Sequence, residues 1–427
     1  MADKTSKKLR NMLMYQIFVR DFSEEGTFKA VEKELSRIKE LGTDIIWFMP
    51  IHPIGKIKRK GTLGSPYAIS DYRAINPEFG TLEDFKSVVD EIHRLKMKCI
   101  IDVVYNHTSP DSVLSVEHPE WFYHKQDGSF GNRVGDWSDI IDLDYNNKEL
   151  WDYQIETLKM WAEIVDGFRC DVAPLIPIEF WEKARAEVEI IRPECIWLSE
   201  SVHPGFITYM RSRGLTALSD SEIYRAFDIS YEYDCYDYFR AYVEGRGSLE
   251  NYALEINRQE YIYPDNYVKL RFLENHDQTR AAFLIPDEKA LRNYTAFMFF
   301  QKGMALVYAG QENGVEHLPS LFDKDVVDWN SGTASLSGLI RTLVDIKKNS
   351  IFTDSSYEVK AVSESFLTAT HTKDGSKALG IFSLKGKSAY IPVSFKDGIY
   401  TNLIDQNRVE VFRGGIQSKG EPIIIIT

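Results

Sequence analysis

The chain has 427 residues, of which 44% are hydrophobic, and a formal net charge of −13. This length predicts one large domain with an appendage, and an acidic balance without blocks of Lys or Arg argues against nucleic acid as a partner. No apolar run approaches the roughly 20 residues of a membrane span, so membrane insertion is not expected.

Residues 1–8 carry several charges, and no apolar stretch of the signal-peptide type follows them. The four cysteines show no CxxC spacing or other pairing pattern; they are Cys99, Cys170, Cys195 and Cys235. Both observations favour a cytoplasmic protein with free thiols.

Short apolar segments alternate with helical patterns along most of the chain. The predicted strands are Met14–Val19, Ile45–Pro50, Cys99–Tyr105, Gly167–Asp171, Cys195–Glu200, Val268–Glu274 and Met304–Ala309. The predicted helices between them include Phe28–Leu41, Leu82–Leu95, Lys148–Val165, Ile178–Ile190 and Glu288–Phe300. An eighth strand is expected between Glu200 and Val268, with Ala226–Tyr231 favoured over Leu215–Ser219. Eight such units predict an α/β fold, the closed (β/α)8 TIM barrel.

Two segments depart from this alternation. From His107 to about Tyr145 the chain is too long for a loop and has no helical period, which predicts a short excursion domain after strand 3. After about Ile351 it changes to β segments with Gly turns, typical of an antiparallel β domain. We therefore expect the catalytic barrel in residues 1–106 and 146–350, the excursion domain in 107–145 and a C-terminal β-sandwich domain in 351–427.

Four of the predicted strands end in acidic, arginine or histidine residues. These blocks are Ile100–His107, Gly167–Asp171, Ile196–Glu200 and Phe272–Asp277. Parallel barrels gather their active sites at the carboxyl ends of the strands, so the charged side chains are expected to meet at one rim.

Two of these blocks suit the two carboxyl groups of sugar hydrolysis. Arg169 and Asp171 lie on the same face of a strand, and the positive charge is expected to lower the pKa of Asp171 and keep it ionised as a nucleophile. Glu200 ends an apolar strand behind Trp197, where desolvation raises the pKa that a general acid needs. Alone, each block fits an ordinary ion pair or loop carboxylate at least as well; together they favour an active site.

The remaining polar residues fit supporting roles. Asp277 is a third carboxylate that can oppose positive charge at an oxocarbenium-like centre, and His107 and His276 can hold sugar hydroxyls. Asp102 lies inside a strand and is predicted to be a buried partner of Arg169. Tyr67 offers a ring on which a sugar can stack.

Taken together, these blocks resemble the signatures of glycoside hydrolase family 13, the α-amylase family. The matching segments are Asp102–His107, Gly167–Asp171, Glu200, Asn275–Asp277, the Ser65–Tyr67 loop and Gly303–Glu312, within a resemblance from about Met14 to Asn330. The resemblance implies retention of configuration through a covalent glycosyl–enzyme intermediate. Asp171 would be the nucleophile, Glu200 the acid/base and Asp277 the transition-state stabiliser. Arg169 would orient Asp171, while Tyr67, His107 and His276 would bind the sugar.

The sequence departs from the family pattern at a calcium site. In many α-amylases a Lys-His pair follows the nucleophile, and the carbonyl of that His binds calcium; here Pro174 and Leu175 stand in its place. We therefore expect no metal and no other cofactor. A calcium site that keeps Asn106, or one at residues 21–25 using Asp21, Ser23 and Glu25, is the alternative that is not favoured.

The sequence thus predicts a retaining α-glucoside hydrolase with an oligosaccharide substrate, acting on soluble α-glucans or malto-oligosaccharides, with α-1,4 linkages favoured. Residues 140–144 resemble the fifth family signature only loosely and do not separate α-1,4 from α-1,6 specificity. An α-glucanotransferase or transglycosidase with the same residues is the main alternative. A catalytically silent sugar-binding relative is disfavoured by the three acids, and a divalent-metal enzyme by Arg169. The sequence indicates no particular oligomeric state.

Overall fold

Eight parallel strands close into a barrel in the computed structural model, which describes residues 4–135 and 137–427. In chain order they are β1 Leu13–Ile17, β2 Ile45–Phe48, β3 Lys98–Val103, β4 Gly167–Cys170, β5 Ile196–Ser199, β6 Ile229–Tyr231, β7 Val268–Arg271 and β8 Met304–Tyr308. Around the barrel the order is β1-β8-β7-β6-β5-β4-β3-β2. The predicted TIM barrel is confirmed, and its sixth strand comes from Ala226–Tyr231, since Leu215–Ser219 is not a strand.

The register of the strands places the polar residues of the barrel beside one another. In β3 and β4, Asp102 is paired with Arg169. In β5, Leu198 is the neighbour of Arg169 on the other side. Both charged side chains are fully buried, so each needs the other as a partner.

Helices cover the outside of the barrel. The longer ones are Phe28–Glu40, Leu82–Arg94, Lys148–Ala162, Ile178–Ile191, Pro204–Ser212, Tyr233–Val243, Leu249–Ile262, Glu288–Phe300 and Ser337–Lys347. Shorter ones are Val19–Phe22, Val113–Glu117, Asp220–Ile223 and Ala281–Leu284. Among the helices of residues 4–135 and 137–427, none combines the length and the apolar character needed to cross a membrane.

The excursion after β3 is a small irregular layer over the rim. It contains an antiparallel pair of two-residue strands, His107–Thr108 and Ile141–Asp142. Trp121 and Phe122 bury their rings in the same apolar cluster as the barrel. The excursion is therefore packed onto the rim by its own core residues.

The C-terminal part forms two antiparallel sheets, as predicted. The first has the order β9-β10-β11-β16, and the second β12-β15-β14-β13. Their bounds are β9 Ser356–Ser363, β10 Phe366–Lys373, β11 Ser376–Ser383, β12 Ala389–Pro392, β13 Gly398–Thr401, β14 Arg408–Phe412, β15 Gly415–Ser418 and β16 Ile423–Ile426. Ile381 of the first sheet and Ile416 of the second share one apolar cluster, whereas Phe382 faces the barrel core.

Candidate active site

Arg169 is the centre of the charged cluster at the rim. Its Nη1 donates to Asp102 Oδ1 at 2.8 Å and to Asp171 Oδ1 at 2.9 Å. Its Nη2 lies 2.8 Å from Glu200 Oε1, an ionic contact rather than a well-aligned hydrogen bond. The predicted pairing of Arg169 with Asp102 is confirmed. One guanidinium therefore fixes three carboxylates from β3, β4 and the end of β5.

The backbone next to Asp171 also holds Glu200. Val172 N–H donates to Glu200 Oε2 at 2.8 Å. To make this contact Val172 adopts φ +34°, a left-handed conformation that is rare for a β-branched residue. Strained backbone of this kind is concentrated at functional sites, because the surrounding structure has to enforce it.

A chain of polar contacts links His276 and Tyr67 to the same cluster. The Gln16 amide lies 2.7 Å from His276 Nδ1, and His276 Nε2 lies 2.6 Å from the Tyr67 hydroxyl. That hydroxyl donates to Asp102 Oδ2 at 3.1 Å. His276 Nε2 is also 3.1 Å from Asp277 Oδ2. The Tyr67 ring stacks on the His276 ring, with centroids 5.4 Å apart, so each fixes the orientation of the other.

His107 completes the cluster from the excursion side. Its ring lies 5.7 Å from that of Trp137, and Asn106 Nδ2 is 3.2 Å from His107 Nδ1. Burial lowers the pKa of His107 to about 4, so the imidazole is neutral near pH 7. Together with Tyr67 and the three acids Asp171, Glu200 and Asp277, His107 lines an open cavity of about 240 Å³.

The three acids differ in how strongly they hold a proton. Burial, with smaller contributions from Asp171 and Asp277, raises the pKa of Glu200 to about 7. Burial also raises the pKa of Asp171, although Arg169 lowers it, so the predicted net lowering is wrong. For Asp277, burial acts upward, but the charges of His276 and Arg169 leave the pKa below its usual value. Glu200 is the acid best suited to carry a proton near neutrality.

All seven residues predicted from the sequence meet at this rim: Tyr67, His107, Arg169, Asp171, Glu200, His276 and Asp277. Sequence reasoning missed Gln16, Trp137 and Lys60. Gln16 is a single polar residue in an apolar strand, a pattern that could have marked it. Trp137 and Lys60 lie in irregular segments, where no periodicity indicates which way a side chain faces.

The surroundings of Asn106, the candidate calcium ligand, include a cation. Arg133 lines the same cavity as Asn106 and Leu175; its guanidinium lies 3.5 Å from both Asp142 Oδ2 and Asp144 Oδ1, and its Nη1 donates to Leu143 O at 3.1 Å. Asp142 Oδ1 is buried and accepts no hydrogen bond, but its neighbour is already a cation. Across residues 4–135 and 137–427, no cluster of three or more Asp, Glu, His or Cys side chains is arranged to hold a metal.

In the residues 21–25 alternative, the Asp21 carboxylate already has a protein partner. Asp21 is buried, its Oδ1 accepts from Asp325 N at 3.0 Å, and burial raises its pKa to about 7.

Two protein-family models match the chain. The model described as "Alpha amylase, catalytic domain" matches residues 16–129 and 110–374, and "Bacterial Alpha amylase C-terminal domain" matches residues 358–425. Among curated proteins, an α-1,4-glucan:maltose-1-phosphate maltosyltransferase of Rhodospirillum rubrum is 31% identical over 58% of this chain and 36% of its own length. An α-amylase of Haloarcula japonica is 26% identical over 78% and 48%. The chain thus spans about a third to a half of these curated relatives.

Solved structures match the chain over its full length. An α-amylase from Lactobacillus plantarum is 48% identical, with a TM-score of 0.96 over 99% of this chain and 100% of that chain. A noncanonic maltogenic α-amylase from Thermotoga neapolitana is 34% identical, with a TM-score of 0.87 over 98% and 99%. With the rim geometry and the catalytic-domain match, these findings lead to one assignment: the chain belongs to the α-amylase family.

Proposed function

We propose that the protein hydrolyses α-glucosidic bonds in soluble α-glucans or malto-oligosaccharides and retains the anomeric configuration. The observation that carries this proposal is the pair Asp171 and Glu200, held by neighbouring nitrogens of the Arg169 guanidinium. Retaining enzymes require two carboxyl groups about 5–5.5 Å apart, and a shared guanidinium suits such a short separation. The two structural relatives from Lactobacillus plantarum and Thermotoga neapolitana are both α-amylases, which supports the choice of substrate.

In the first step Glu200 gives its proton to the glycosidic oxygen while an Asp171 oxygen attacks C1. The bond from C1 to the leaving oxygen breaks, and a glycosyl ester with Asp171 forms. The pKa of about 7 keeps a large fraction of Glu200 protonated for this transfer. Asp277, ionised by its neighbours, opposes the positive charge that develops at the sugar ring.

In the second step water attacks C1 and gives a proton to Glu200. The ester bond to Asp171 breaks, and the product leaves with the α configuration it had in the substrate. Tyr67 and His276 hold the sugar ring. Their own side chains are fixed in orientation by their mutual stacking and by the contact of the Tyr67 hydroxyl with Asp102. Both carboxyl groups return to their starting states.

The protein is also proposed to need no calcium. The support is Arg133, which places a permanent positive charge between Asp142 and Asp144. A calcium ion there would meet the guanidinium as well as the carboxylates, and like charges repel.

Transfer to a sugar acceptor is the second candidate, and the 31% identical maltosyltransferase relative favours it. The same ester intermediate serves both reactions, and the outcome depends on whether water or a sugar reaches C1. Incubation with concentrated maltotriose separates them: products longer than the substrate, formed early in amounts close to those of glucose and maltose together, would favour transfer.

We place the protein in the cytoplasm, on the support of its four buried free thiols. Cell fractionation tests this location. Recovery of the protein outside the cytoplasm would contradict it.

The main test of the chemistry is a time course of maltotriose hydrolysis by proton NMR. The first product signal is expected from the α anomer, with the β anomer appearing later by mutarotation. A β anomer that appears first would exclude the two-step mechanism.

A further inference from the structure

One side of the active-site cavity is closed by three loops that meet. Lys60, from the loop after β2, lies with its Nζ 2.9 Å from Asp139 Oδ1 of the excursion. The same Nζ is 5.9 Å from the ring centre of Phe322, in the segment after β8. Asp139 is buried, and all three residues line the cavity that also contains Asp171 and Glu200. We call Lys60, Asp139 and Phe322 the end wall.

The end wall is held by backbone and side-chain hydrogen bonds behind it. Thr62 N and Oγ1 donate to Asp323 Oδ1 at 2.8 and 2.6 Å, and Gly64 N donates to Phe322 O at 3.1 Å. Buried Arg20 Nη1 donates to Gly64 O at 3.0 Å. These contacts fasten the loop after β2 to the segment after β8.

Gly61 makes the close approach of these loops possible. It has φ +61°, and a Cβ there would lie 2.6 Å from Phe322 Cβ and 2.7 Å from Phe322 O. Such distances are shorter than any van der Waals contact, so a larger residue would push the loops apart. The wall is thus a built part of the rim and not a chance contact of long side chains.

The barrel order defines which end of a sugar chain faces this wall. β1 lies opposite β5, and β2 and β8 flank β1. Glu200 follows β5 and protonates the oxygen of the leaving group, so the leaving group, the reducing-end side of the chain, lies toward β5. The glycosyl unit that Asp171 receives therefore extends toward β1 and meets Lys60 and Phe322.

We propose that the end wall stops the substrate at its non-reducing end, so that the protein removes a short unit of fixed length from the chain terminus. The ammonium of Lys60 and the carboxylate of Asp139 are suited to the hydroxyls of a terminal sugar, and the Phe322 ring to its apolar face. The cavity of about 240 Å³ that contains Asp171 and Glu200 is bounded on this side by these three residues. This inference rests on the proposed glucan hydrolysis.

The test compares two aryl maltoheptaosides, one with a free non-reducing end and one with that end blocked by an ethylidene group. The free substrate should be cleaved and lose one short unit of constant length per event. The blocked substrate should be cleaved roughly 100-fold or more slowly, since one misfitting methylene costs about 10–200-fold where it meets the wall of a pocket. Equal rates on both would overturn the end wall but leave hydrolysis standing, whereas cleavage of neither would overturn the proposed function.

Variants test whether the Lys60–Asp139 ion pair causes the difference in rate between the free and the blocked substrate. Lys60→Met and Asp139→Asn each break the ion pair with little change in size, and each should raise the rate on the blocked substrate relative to the free one by about 10-fold. Lys56→Met is the matched control, because it removes a lysine charge from an exposed position of the same loop. If Lys60→Met and Lys56→Met give the same ratio of rates, the ion pair does not control chain-end attack.

Discussion

Replacing Arg133 with Met removes a cation within the excursion but keeps a long side chain. A hydrogen bond from a charged donor, such as that to Leu143 O at 3.1 Å, contributes about 1.5–3 kcal/mol. The guanidinium also lies 4.6 Å from the Tyr123 ring centre, worth about 0.5–1 kcal/mol. The ion pairs with Asp142 and Asp144, at 3.5 Å, add little because the Arg133 side chain is 25% exposed. We expect the excursion to lose about 2–4 kcal/mol of stability.

Thermal unfolding with EDTA or with added calcium, together with limited proteolysis of residues 107–145, measures this loss. The wild-type protein should keep its Tm and its activity under both conditions. The Arg133→Met variant should be cleaved faster in the excursion, and calcium should restore part of the loss, because Asp142 and Asp144 can then hold a metal. Exposed Arg341, changed to Met, is the control for removal of one charge. A wild-type Tm that falls on chelation and recovers with calcium would refute the reasoning.

Three further changes test the catalytic roles. Asp171→Asn should lower kcat by at least about 10³-fold with an unchanged Tm. Glu200→Gln should lower kcat as severely on maltotriose but should recover activity on an aryl glycoside with a good leaving group. Equal losses of Glu200→Gln on both substrates would count against Glu200 as the acid. Because donation requires protonated Glu200, kcat/KM should fall as the pH rises through about 7, and a limb that persists in Glu200→Gln would belong to another group. Tyr67→Phe removes the hydroxyl that contacts Asp102 and His276 and should lower kcat/KM about 10-fold with little change in Tm; unchanged kinetics would show that the hydroxyl does not position the site.

The barrel and its charged rim could be predicted from the sequence because both leave a local pattern. A strand buried on both faces is a short apolar run, and an acid at its end marks the rim, as at Asp171 and Glu200. The exact ends of the strands could be predicted less well. The first strand stops at Ile17 rather than Val19, because a short helix, Val19–Phe22, begins there.

The end wall and the balance of charges could not be predicted in this way. Lys60 and Asp139 are 79 positions apart in irregular segments, and only the closed barrel brings them together. The pKa of Asp171 depends on a comparison of burial with the Arg169 charge, and the sequence shows the arginine but not the depth of burial. The contacts of Arg133 could not be predicted either, since they depend on how the irregular excursion folds on itself.

The helix Glu288–Phe300 belongs to the barrel by sequence but is covered by the first C-terminal sheet. Phe297 and Phe300 lie 5.2 and 5.6 Å from the Phe382 ring, and the Asn293 side chain bonds to Ser383 N at 2.7 Å. A shortened protein that ended near residue 350 would therefore expose an apolar helix face to solvent and would aggregate. An engineer who exchanges C-terminal domains between relatives would have to transplant the outer face of this helix with them.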